Sequence, residues 1–253
     1  MNEEPYPSAS ELPELVPQPA AARDFVAEGE ALLSDELTED LALAQLNDRG
    51  LSAEVVERLA RNAAVLKLRK VRRAIAAHPH APRHISLKLI REFYTFDLMQ
   101  FALTPGVAAD LKRAASELLV SRLASITLGE RLSLARRASG SVAASLLLDQ
   151  ENRVWQTALE NSRLPEAALV RILTRSTAGA ALVEAVSHHA KWSLRHEVRL
   201  ALLRNARTPA SRALEFARAL PPAQRRDVLH SSHLPEKVKI YLKKELGKQR
   251  FQV

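Results

Sequence analysis

The chain has 253 residues, of which 47% are hydrophobic and only 4% aromatic, with 7 Gly and no Cys. The lack of Cys excludes disulfides, iron–sulfur clusters and thiolate zinc sites, and the abundance of Ala and Leu favours packed helices over a sheet sandwich. Net charge is +8 but unevenly divided: residues 1–40 hold eleven acids against Arg23, a net −10, and the remainder carries +18. Such a basic body favours anionic partners through its summed field, although the same charge also keeps an Ala/Leu-rich surface in solution.

Residues 1–20 carry Pro5, Pro7, Pro13, Pro17 and Pro19 among acids and small residues. This stretch has too little apolar surface to offset the entropy of ordering it. The reading is a disordered acidic Pro-rich tail over residues 1–30, followed by one folded domain over 31–253. The opening MNEEPYPSAS has neither a basic segment nor an apolar one, and the uncharged stretch from Ala138 to Leu148 is far too short to span a bilayer. A membrane helix needs roughly 20 apolar residues. A cytoplasmic protein with no signal peptide is therefore expected.

Leu32, Leu33, Leu37, Leu41 and Leu46 open a helical pattern. Farther on, Ala64, Leu68, Val71 and Ile75 recur at helical spacing, which places Lys67, Arg69, Lys70, Arg72 and Arg73 mostly opposite the core. That strip is a candidate phosphate-contacting surface, with a plain solvated helix face as the alternative.

From Val71 onward the chain repeats a turn. Val71 to Pro82, Val154 to Pro165, Val198 to Pro209 and Arg225 to Pro235 each end a helix at a polar residue (His78, Asn161, Asn205, Ser231) four residues before a Pro. Pro is favoured at the first helical position and turns the preceding residue out of the helix. Thr104 and Thr208, each just before a Pro, are expected to cap the helix that follows. Looser copies lie at 101–107 and 134–142, and a degenerate one runs from Ala180 to Trp192. A long helix is expected from Val107 to Ser125, and Thr127 with Glu130 reads as a capping box. Lys237, Lys243, Lys244 and Lys248 make the last helix polar on its outer side, as a terminal repeat requires. No strand is expected. Short units with one apolar face bury a continuous core only by stacking. The fold class is therefore all-α, a solenoid of six to seven stacked helix pairs.

The segment from Val71 to Ile90, with Pro79, Pro82 and Leu87 at their positions, resembles the bacterial leucine-rich-repeat-variant unit. The units at 154–172 and 198–216 resemble it in part and lack the first Pro. The body as a whole is similar to that family merging into HEAT-like solenoids. The resemblance implies a right-handed superhelix, an α-solenoid with a concave binding surface, and says almost nothing about function. Family members with an iron–sulfur module would need cysteines.

Several side chains deserve weighing as chemistry. His78, His80 and His84 crowd one turn, and His188, His189 and His196 lie close in sequence. Neither group has the four ligands of a closed zinc site, and no metal or other cofactor is expected. Tyr94, Trp155 and Trp192, with Phe93 and Phe96, are candidates for stacking on bases or clasping a partner, against the alternative of core packing. No H-E-x-x-H, P-loop or G-x-S-x-G motif occurs. The expected function is a non-enzymatic scaffold that binds a protein partner on its concave face. The alternative is a nucleic-acid-binding solenoid, and a distant third is a DNA-glycosylase-like enzyme using Trp192 with Glu184 or Glu197.

Overall fold

The computed structural model describes residues 38–48, 50–175 and 178–248. The tail at 1–30, the leucines at 32, 33 and 37 and the side chain of Lys248 lie outside that description. Among the described residues the protein is all-helical, without strands. The chain divides into two compact units, with the boundary in sequence between Pro82 and Arg83.

The first unit holds α1 (Glu39–Leu46), α2 (Ala53–Arg61), α3 (Ala63–Lys67) and α4 (Arg69–Ala77). Thr38, Ser52 and Asn62 start the first three, each accepting a backbone N–H of the first turn and so satisfying an orphan donor. All three pack against α4, around buried Val71, Ile75 and Ala76. The continuous helix expected across residues 64–75 is broken. Leu68 has φ −80° and ψ 109°, outside the helical region, so the face shifts: Val65 is buried and Ala64 exposed.

The second unit holds α5 (Arg83–Arg91), α6 (Thr95–Leu103), α7 (Ala109–Arg122), α8 (Leu128–Arg137), α9 (Gly140–Leu146) and α10 (Asn152–Leu159). After these come α11 (Glu166–Leu173), α12 (Ala180–His188), α13 (His196–Arg204), α14 (Ala210–Arg218), α15 (Pro222–His230) and α16 (Glu236–Lys248). Short 3-10 turns stand at Leu123–Ser125 and Trp192–Leu194. The first of them extends α7, giving nearly the long helix expected. The capping box is present: Glu130 N–H donates to Thr127 Oγ1, and Thr127 N–H donates to the Glu130 carboxylate at 3.0 Å.

Helices contact their next-but-one neighbours. α5 packs on α7, α7 on α9, α9 on α11, α11 on α13 and α13 on α15; α8 packs on α10 and α10 on α12, and α14 on α16. The apolar faces that bury this core include Leu134, Ala135, Val154, Leu169, Val183, Ala201 and Phe216, all nearly inaccessible.

The proline turns form as expected, with one shift of register. Pro165 and Pro209 stand one residue before the helix rather than at its first position, with extended ψ of 138°. Their carbonyl oxygens accept from Leu169 and Ala213 and begin the intrahelical ladder. Pro222 does occupy the first turn of α15. The two threonines act on the opposite helix to the one expected. Thr104 Oγ1 donates back to Gln100 O at 2.9 Å, and the buried Thr208 Oγ1 donates back to Leu202 O at 2.6 Å. A hydroxyl beside a fixed proline reaches the orphan carbonyls behind it, so it closes the helix that is ending. In the Pro105-Gly106 turn, Gly106 takes φ 81°, the left-handed value that the third position of a type II turn requires.

At three of the four turns the polar residue that ends the helix has a second role, whereas Ser231 bonds only carbonyls of its own helix. Asn161 Oδ1 accepts the Arg163 N–H at 2.8 Å while its Nδ2 donates to Ala135 O at 2.8 Å. Asn205 repeats this with Arg207 N–H and Leu173 O, at 2.9 and 2.6 Å. His78 uses Nδ1 to accept from His80 N–H, so its Nε2 carries the proton and donates to Asp48 O at 3.0 Å. His189 accepts from Lys191 N–H through Nδ1 and donates to the Glu160 carboxylate through Nε2. Other side chains do the same work. Trp192 Nε1 donates to Leu159 O at 2.9 Å, Arg122 to Phe93 O and Arg91 O, and Arg212 to Ser187 O. Helix C-termini leave carbonyls without intrahelical donors. Here those carbonyls are satisfied by donors lying 23 to 33 residues downstream.

Candidate functional site

The basic strip is dispersed by the break at Leu68. Lys67 closes α3, whereas Arg69, Lys70, Arg72 and Arg73 belong to α4. Lys70 pairs with Glu39 of α1 at 3.2 Å, and Arg72 and Arg73 are half-buried. These cations do not form one open row along a helix, because the helix that would carry the row stops and restarts inside it.

The aromatic candidates separate by burial. Trp155 and Trp192 are 5% and 2% exposed, and their indole N–H groups are held by Asn152 Oδ1 and Leu159 O. Both rings therefore lie in the core and not on an open face. Phe93 is buried edge-on against Phe101 at 5.6 Å. Tyr94 remains at the surface, 61% exposed, beside the partly exposed Phe96.

The histidines serve turns and helix ends. His78 and His80 stand edge to face at 5.8 Å, with His80 Nδ1 bonded to Leu51 O. His188 bonds Glu184 O, and His196 lies by Gln224. Among the described residues no three His, Asp or Glu side chains converge as a metal site would need.

Two surface grooves of the second unit were not foreseen. One, of about 370 Å³, runs along α8 beside Leu132, Ser133, Arg136 and Arg137. The other, of about 320 Å³, lies between α15 and α16, lined by Arg226, Leu229 and His230 on one side and Glu236, Lys239 and Lys243 on the other. The spacing of these residues was a legible signal. Arg226 and His230 are four apart, and Glu236, Lys239 and Lys243 fall three and seven apart, so each set shares a helix face. Nearby on α16, Ile240 and Tyr241 are 59% and 42% exposed. No helix among the described residues is long and apolar enough to cross a membrane. Comparison with models of protein families, with curated proteins and with solved structures gives no match.

Proposed function

We propose that the protein is a non-enzymatic interaction scaffold, a right-handed α-solenoid of leucine-rich-variant or HEAT-like type that binds a protein segment on its concave face. The observation that carries this reading is the repeated link between helices. Next-but-one neighbours pack together, and a side chain from a later turn closes the end of an earlier helix. Units that contact only their neighbours in this way stack along one direction and expose long helical faces. Asn161, Asn205, His78 and Trp192, which would otherwise be read as chemistry, are held by backbone groups, which leaves surface faces to make contacts.

The net charge keeps a nucleic-acid-binding reading alongside, and two measurements separate them. The full chain, used as bait in its source cells, is expected to return a protein whose capture is saturated by excess free chain. Random-sequence DNA is expected to bind weakly. Phosphate contacts release counterions, so a nucleic-acid binder loses affinity steeply as salt rises. Tight, steeply salt-dependent DNA binding without any saturable protein partner would replace the scaffold reading with the nucleic-acid one.

A further inference from the structure

We infer that the groove between α15 and α16 is the docking site for an acidic protein segment carrying aliphatic side chains; this rests on the scaffold reading and names where and what the scaffold binds. Arg226, Lys239 and Lys243 face the groove with His230, against the lone carboxylate of Glu236. Among the described residues, none of those three cations is held in an ion pair. Half-buried Leu229 gives the groove an apolar lining, and Ile240 stands exposed on the adjoining face of α16. Arg and Lys rims around an apolar strip match a segment that alternates carboxylates with Leu-like residues, since opposite potentials set orientation and the apolar strip supplies burial. A groove of about 320 Å³ has room for the side chains of a short segment and not for a folded domain. No Phe, Tyr or Trp lines the groove to serve as a platform on which successive bases of a single strand stack; its one ring is the imidazole of His230.

The test uses the full chain and a fluorescein-labelled peptide of about ten residues built from Glu and Leu, long enough in extended form to cross both helices. Its anisotropy is read against a Gln/Leu peptide, a Glu/Ser peptide and a single-stranded oligonucleotide of equal charge. The double variant Lys239→Glu with Lys243→Glu is expected to weaken Glu/Leu binding by about tenfold or more, because each reversal turns an attraction into a repulsion. Lys237→Glu with Lys244→Glu makes the same change in net charge on a face of α16 turned roughly 100° away, and is expected to weaken binding by less than about threefold. Circular dichroism of both variants establishes that they fold. Equal losses from the two pairs overturn the site, since the general field then does the binding. So does an oligonucleotide that binds as tightly with the same Lys239 and Lys243 dependence, a Glu/Ser peptide that binds as well as Glu/Leu, or no peptide binding at low salt. If a saturable protein partner is still captured by the Lys239→Glu, Lys243→Glu variant, the groove fails while the scaffold reading stands.

Discussion

The side-chain amide of Asn161 donates to the carbonyl oxygen of Ala135 while its own oxygen accepts the N–H of Arg163. One buried side chain thus ends α10 locally and completes the end of α8. Asn161→Ala leaves the Ala135 carbonyl without its donor in the interior and the Arg163 N–H without its acceptor in the turn. It is expected to cost about 2–3 kcal/mol, read as a lower urea midpoint with unchanged slope. Asn161→Asp is expected to cost at least as much. It keeps the acceptor for Arg163 but turns a carboxylate toward the oxygens of Ala135 and Ala138. An aspartate variant as stable as the wild type would show that the donor half of the link contributes nothing.

Gly140 and Gly129 are expected to respond to alanine with opposite signs. A Cβ at Gly140 would overlap the carbonyl oxygen of Arg163 and approach Pro165 Cδ to 2.9 Å, where α9 begins against the turn after α10. Backbone must shift, so Gly140→Ala should destabilise by about 1–3 kcal/mol despite the better helix propensity. Nothing lies within 4 Å of a Cβ at Gly129, and Gly129→Ala should stabilise by up to about 1 kcal/mol. Thermal unfolding of the two variants side by side decides it.

The proline turn is expected to tolerate loss and not displacement. Pro165→Ala keeps the extended residue before α11 and should change stability by less than about 1 kcal/mol. Leu169→Pro places the ring within α11, at a buried position, and removes the bond from Leu169 N–H to Pro165 O. That change should cost about 3 kcal/mol or more. Equal effects in denaturant titrations would place the helix start elsewhere.

Glu130 supplies a pH dependence of known sign. The backbone N–H and then the hydroxyl of Thr127 hold its carboxyl below the ordinary carboxylate value. A depressed carboxylate stabilises the fold above its unfolded-state value, and this is lost as pH falls through the lower folded value. The stability difference between wild type and Glu130→Gln is therefore expected to be full at neutral pH and to shrink on acidification below about pH 4.5. A difference that grows toward acid would reverse the assignment.

Much of the helix layout was legible because the turns carry local physics. A polar residue followed by Pro four positions later specifies a helix end and a restart without reference to the rest of the chain, as at Asn161 with Pro165 and Asn205 with Pro209. The break at Leu68 was not legible, since Leu is a good helix former and the apolar spacing continued through it. The partners of Asn161, His78 and Trp192 could not be read either, because they are backbone carbonyls 23 to 33 residues upstream, which no side-chain pattern marks. The candidate site divided along the same line. Tyr94 lies on the surface, but burial alone separates it from Trp155 and Trp192. The α15–α16 groove needs two helices brought side by side before its cations form one surface.

The side-chain donors that close helix ends lie downstream of the carbonyls they reach, as His78 lies beyond Asp48, Arg122 beyond Phe93, Asn205 beyond Leu173 and His233 beyond Arg204. A chain emerging from the ribosome therefore finishes these helices only after the residues of a later turn have been made. Its ordering has a direction, in which such turns complete something already synthesised. Removing residues from the two ends is then unequal: shortening the C-terminus uncaps the helices just before the cut, whereas shortening the N-terminus releases only donors that water can satisfy.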